Sequence, residues 1–99
     1  MTKLERLFHQ YNRQYFNGEL PDDTLVKWAH ITPVKCMGGY EDGHIYINIR
    51  LKPWAPAWKS TLLHEMAHLA TDSERAEHGP RWDKVMKRLY RMGAFDKLL

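Results

Sequence analysis

At 99 residues, with 43% of them hydrophobic, four Trp and one Cys, the chain suits a single folded domain (residues 1–99) with one core. The lone Cys36 excludes an intramolecular disulfide and a cysteine-rich zinc ribbon, and no apolar run approaches the roughly 20 residues of a membrane span. The net charge of +3 is uneven, because Arg81, Lys84, Lys87, Arg88, Arg91 and Lys97 face only Asp83 and Asp96 in the last nineteen residues, so a phosphate-binding surface is expected there if anywhere.

Thr2 followed by Glu5 has the spacing of a capping box, and Leu4, Leu7, Phe8, Tyr11, Tyr15 and Phe16 then recur at helical intervals up to Gly18. This predicts an amphipathic first helix lying across a sheet, with His9 an ordinary surface residue. Leu20-Pro21-Asp22-Asp23 reads as a loop, and Leu25 to Ile31 as a strand that Pro33 ends. Met37 to Ile49 predicts a hairpin. Asp42-Gly43 suits its tight turn, and Ile45, Ile47 and Ile49 alternate toward the core, leaving His44, Tyr46 and Asn48 on the other, solvent-facing side.

Two Trp, Pro53 and Pro56 separate this sheet from a helix expected over residues 56–72, with Pro56 in its first turn. Thr71-Asp72-Ser73 ends it, and Glu74 to Gly79 forms a polar loop. Pro80 opens a third helix that closes at Gly93, with Trp82, Val85, Met86 and Leu89 inward. Tyr11, Tyr15, Phe16, Trp28, Trp58 and Trp82 are assigned to core packing. The order of elements gives an α+β fold. The opening residues, Met1-Thr2-Lys3-Leu4-Glu5, are not a secretory signal, so a cytoplasmic, monomeric protein is expected, with no membrane partner.

The stretch that carries chemistry is His64-Glu65-Met66-Ala67-His68. On a helix, positions i and i+4 share a face one turn apart, so both imidazoles can meet one metal ion and the Glu can reach a water bound to it. Leu62, Leu63, Met66, Ala67, Leu69 and Ala70 surround the motif, which predicts a buried helix where two His and a Glu need a compensating partner. One catalytic Zn2+ is the expected cofactor. Such a site takes three protein ligands and leaves one position open.

For the third ligand the choice is His78, ten residues past His68 and just before Gly79-Pro80. A metzincin would have Gly and His at the positions of Thr71 and Glu74. Thermolysin-like enzymes take a glutamate about twenty residues later, where this chain is basic and apolar. Glu74 and Glu77 would need a very tight reversal. The upstream Cys of peptide deformylases keeps Cys36 open as an alternative. Glu65 is the expected general base, Tyr40, His44, Tyr46 and Arg81 are candidates for the cleft or for a donor to the developing oxyanion, and Asp72 is a candidate acceptor behind His68.

Tyr11-Asn12, Tyr15-Phe16-Asn17-Gly18-Glu19-Leu20-Pro21, Gly39-Tyr40, Ile45-Tyr46-Ile47-Asn48, Leu63-His64-Glu65-Met66-Ala67-His68 and His78-Gly79-Pro80-Arg81-Trp82 together resemble the SprT-like family, from residue 4 to about 90. The resemblance implies a minimal zincin-like domain: an N-terminal helix, a short antiparallel-containing sheet, an active-site helix and a C-terminal helix. It also implies a zinc metallopeptidase acting on protein or peptide substrates, with ligands His64, His68 and His78 and base Glu65. The zinc ribbon of many bacterial members and the DNA- and partner-binding segments of eukaryotic ones have no counterpart in these residues. Their role in repair of DNA–protein crosslinks is therefore not carried over with the core. Two other classes stay open: an H-E-x-x-H hydrolase acting on a non-protein substrate, and a metal-stabilised module that docks nucleic acid on a stripe of Arg81, Lys84, Arg88 and Arg91.

Overall fold

The structure, a computed structural model, describes residues 2–31, 36–72 and 79–98. Helix α1 (Lys3–Tyr15) begins with the expected capping box: the Thr2 hydroxyl accepts from the Glu5 amide at 3.1 Å, and the Glu5 carboxylate accepts from the Thr2 amide at 3.2 Å. Its far end explains the Asn-Gly pair. Asn17 and Gly18 take φ of 55° and 71°, the left-handed region that these residue types tolerate best. The Phe16 and Gly18 amides both close on the Asn12 carbonyl. The buried Asn12 side chain then holds Leu20 from both sides, donating to its carbonyl at 3.0 Å and accepting from its amide at 3.1 Å. Leu20 is thereby placed in the core.

Strands β1 (Val26–Ala29), β2 (Gly38–Glu41) and β3 (His44–Asn48) form one sheet in the order β1-β3-β2. The expected hairpin is β2–β3, with positive φ at Asp42 and Gly43 as a two-residue turn demands. β1 joins the other side of β3 in parallel, Val26 opposite Ile45 and Trp28 opposite Ile47. The sheet is therefore mixed, and β2 is an edge. β1 is shorter than the expected span, and Pro33 lies outside the described residues.

Residues paired across strands share a face. Val26, Trp28, Ile45, Ile47, Gly38 and Tyr40 accordingly look one way, and His44, Tyr46, Gly39 and Glu41 the other. Helix α2 (Ala55–Ala70) covers the first face, where Trp28 meets Trp58 edge-on at 5.5 Å. Helix α1 joins the same core through Leu4, Phe8, Tyr11 and Tyr15. Ile49 does not continue the alternation. The Asn48 side-chain amide donates through Nδ2 to the Cys36 carbonyl at 2.7 Å, and its Oδ1 accepts from the Arg50 backbone amide at 3.1 Å, which turns the chain into a 3-10 turn at Ile49–Leu51. Ile49 is half-buried instead of core, and Asn48 is buried instead of solvent-facing.

Leu62, Leu63, Met66 and Ala67 of α2 are all 0% exposed, so this helix is apolar on most sides and central to the packing. It ends before the expected Asp72, with the Thr71 hydroxyl donating to the Ala67 carbonyl at 2.9 Å. Helix α3 (Pro80–Arg91) follows the Gly79 N-cap and buries Met86 and Leu89. Beyond Gly93, at φ 75°, the tail folds back so that Ala94 and Leu98 enter the core against α2. No described helix is long and apolar enough to cross a membrane.

Candidate metal centre

His64 and His68 stand one turn apart on α2 with ring centroids 5.0 Å apart. Their ligating atoms and those of Glu65 all lie within 4.8 Å of one another, a grouping of His, Cys, Asp or Glu that occurs once among the described residues. Zinc–nitrogen bonds are about 2.0–2.1 Å, so small ring rotations suffice to bring both imidazoles onto one ion. Two imidazoles beside a carboxylate suit a divalent transition metal. Glu65 is 6% exposed while the two His are half-buried, so the carboxylate is held inside and the rings face a cleft.

Two features outside α2 shape this cleft. Trp82, in the first turn of α3, stacks on His68 (5.4 Å, 25°) and meets His64 edge-on (5.0 Å, 67°). It restricts both rings and covers one side of them. Trp82, expected in the core, does pack there and also contacts both imidazoles. The other feature is Gly38. A Cβ at that position would lie 2.7 Å from Thr61 Cγ2, 2.8 Å from the Tyr46 carbonyl oxygen and 3.6 Å from Glu65 Cγ. Only glycine lets the β2 edge approach the metal helix this closely. A glycine within a strand is the sequence signal for such an approach. A cavity of about 310 Å³ opens here, lined by Met37, Gly38, Ser60, Thr61, His64 and Glu65.

Among the described residues, the remaining expected site residues are dispersed. His78 lies outside the described residues; Gly79, the next residue in sequence, is the N-cap of α3. Cys36 is exposed and lines a neighbouring cavity, not the one at His64. Tyr40 faces α2. Desolvation, and then the Asp72 carboxylate, push its pKa up to about 12, so the phenol keeps its proton at neutral pH. Asp72, exposed one turn past His68, is thus a neighbour of Tyr40. His44 and Tyr46 project from the sheet face turned away from α2. Arg81, Lys84 and Arg91 are exposed on α3. Arg88 leaves that stripe: it donates to the Tyr15 carbonyl at 3.1 Å and lies 5.6 Å over the Phe16 ring, tying α3 to the end of α1.

The sequence profile of the SprT-like family matches residues 4–97, nearly the whole chain. The chain belongs to the SprT-like family. Among relatives of this SprT-like chain, the human DNA-dependent metalloprotease SPRTN is 36% identical over 101 aligned residues, which cover 87% of this chain and 20% of that protein. The SprT-like chain thus spans about one fifth of the length of the curated relative it matches. Within the matched segment, His64, Glu65 and His68 of H-E-x-x-H form a group that could hold a metal ion.

Proposed function

We propose that this chain is a zinc-dependent endopeptidase that hydrolyses peptide bonds in protein substrates with Glu65 as general base. The observation that supports it best is the convergence of His64, Glu65 and His68 within 4.8 Å beside β2, the edge strand among the described residues. His64, His68 and His78 hold the ion in this reading, His78 being chosen for its place in sequence one residue before the α3 cap. Bound zinc supplies Lewis acidity toward the scissile carbonyl and acidifies a water at neutral pH. Glu65, held in place by burial, takes the proton of the attacking water and delivers it to the leaving amine.

The β2 edge orients the substrate. The Asn48 amide donates to the Met37 carbonyl at 2.8 Å, which makes 37–48 a hydrogen-bonded pair. By alternation, the backbone groups of Gly38 and Tyr40 then point away from β3, and no described strand pairs with them, so they can bond an extended peptide. Recognition through main-chain bonds favours unstructured segments with little sequence selectivity. Tyr40, its proton retained, serves as a donor to the developing oxyanion.

A second reading adds nucleic acid, on the exposed cations Arg81, Lys84 and Arg91 and on the DNA dependence in the name of the human relative. One experiment addresses both. Zinc-loaded protein is given an unstructured protein substrate with and without single-stranded DNA. Cleavage is expected from the natural sequence and a loss of at least a hundredfold from Glu65→Gln with zinc retained. Undiminished cleavage by Glu65→Gln sinks the mechanism. Stimulation by DNA should fade with added salt, as phosphate contacts do.

A further inference from the structure

Beside the metal cleft lies a second cavity of about 560 Å³ that the reaction itself does not use. Met37, Leu51, Trp54 and Ala57 give it an apolar wall, and Arg50 stands among its lining residues. Met37 also lines the cavity at His64 and Glu65, so the two spaces adjoin. Met37 and Trp54 are 57% and 62% exposed, among the few large apolar side chains left to solvent. Nothing about the core calls for an exposed Trp there, and exposed apolar patches beside a cleft commonly mark contact sites.

The direction of the elements gives this cavity a place along a bound chain. Gly38 lies over Thr61 and Glu65, and Tyr40 lies near Asp72, so β2 and α2 run the same way. The cavity sits at the opposite end, past Met37, against Ala57 and Trp54. Seven helical residues from Ala57 to His64 cover roughly 10 Å. An extended peptide covers the same distance in about three residues. A peptide adding to β2 in the more stable antiparallel sense runs from Tyr40 toward Met37 and reaches the cavity on its C-terminal side.

The geometry points to a side-chain subsite: the Met37–Leu51–Trp54–Ala57 cavity takes an aromatic or large aliphatic residue of the substrate about three positions after the scissile bond. Arg50 makes a basic side chain the poorest occupant. This inference rests on the peptidase reading for the words "scissile bond", but the binding it describes can be measured without cleavage.

The test uses the zinc-loaded Glu65→Gln chain and fluorescent peptides of Gly, Ser and Ala that differ at one position, Phe, Ser or Lys. The Phe peptide should bind about tenfold more tightly than the Ser peptide, the fold expected for partial burial of one apolar side chain. The Lys peptide should bind no better than Ser. Trp54→Ala should bring Phe and Ser within about twofold of each other, and Trp54→Phe should keep the preference. With the unaltered enzyme, cuts should fall about three residues before the Phe. Equal affinities, a preference that survives Trp54→Ala, or cuts placed without regard to Phe would overturn the subsite. Cleavage without any Phe preference sinks the subsite and leaves the peptidase standing. Trp54-dependent binding of Phe without cleavage by the unaltered enzyme supports the cavity and sinks the peptidase.

Discussion

Single side chains decide more here than their size suggests. Asn12 belongs to the conspicuous Tyr11-Asn12 pair, yet it has no place in the chemistry. Its two bonds to Leu20 satisfy a buried amide and a buried carbonyl at once. Asn12→Ala orphans part of both, and the expected loss is about 2–3 kcal/mol, read as a lower midpoint in urea at unchanged slope. Tyr11 acts through its protonation. Desolvation, then Tyr15 beside it, raise its pKa to about 12. The unfolded chain, near 10, ionises first. The contribution is therefore intact below pH 10 and is lost as the pH rises through 12. Tyr40 shifts the same way. Stability of Tyr11→Phe, measured between pH 8 and 12, should fall less steeply than that of the natural chain but still fall. An equal slope would remove Tyr11 from the account.

At the scale of elements, the closeness of β2 to α2 is the feature most open to test. Gly38→Ala puts a methyl group into Thr61 Cγ2 and the Tyr46 carbonyl. The edge must move, at about 2 kcal/mol, and cleavage should fall with it because the substrate strand then sits further from Glu65. Adding Thr61→Ser removes the nearer of the two clashes and should restore part of both losses. Full restoration would mean that the backbone clash carries no weight. Gly38 was legible in the sequence only as a glycine inside a strand, without its neighbour. The hairpin and the Ile45–Ile47 stripe were legible because Asp-Gly and alternation are local. Ile49 was misread because the Asn48 side chain diverts the strand by bonds to Cys36 and Arg50, which periodicity does not encode. The parallel β1–β3 pair and the return of Ala94 and Leu98 to the core are contacts between distant segments, and no short window contains them. In the site, His64, Glu65 and His68 could be read from one helical turn. The grip of Trp82 on both rings depends on how α3 docks, and so appears only in three dimensions.

For the molecule as a whole, metal binding at the proposed centre would be coupled to the fold. The two imidazoles belong to the helix at the centre of the core, and Trp82 bridges that helix to α3 through the rings themselves. An ion that binds the folded chain and not the unfolded one stabilises it by about 2.7 kcal/mol at a hundredfold excess over its Kd. For a domain of this size each kcal/mol shifts Tm by about 4–8 °C. Zinc should therefore raise Tm by roughly 10–20 °C over the chelated protein. His64→Ala and His68→Ala should abolish the shift, because each removes a donor. Glu65→Gln should keep it, because a base is not a ligand. His78→Ala gives the informative result: loss of most of the shift would support three histidines on the ion, whereas a full shift would turn attention to Cys36, whose replacement by Ser would then have to reduce it. Calorimetry with and without zinc on these five variants separates the assignments, since a His that merely packs against Trp82 lowers Tm equally in both conditions.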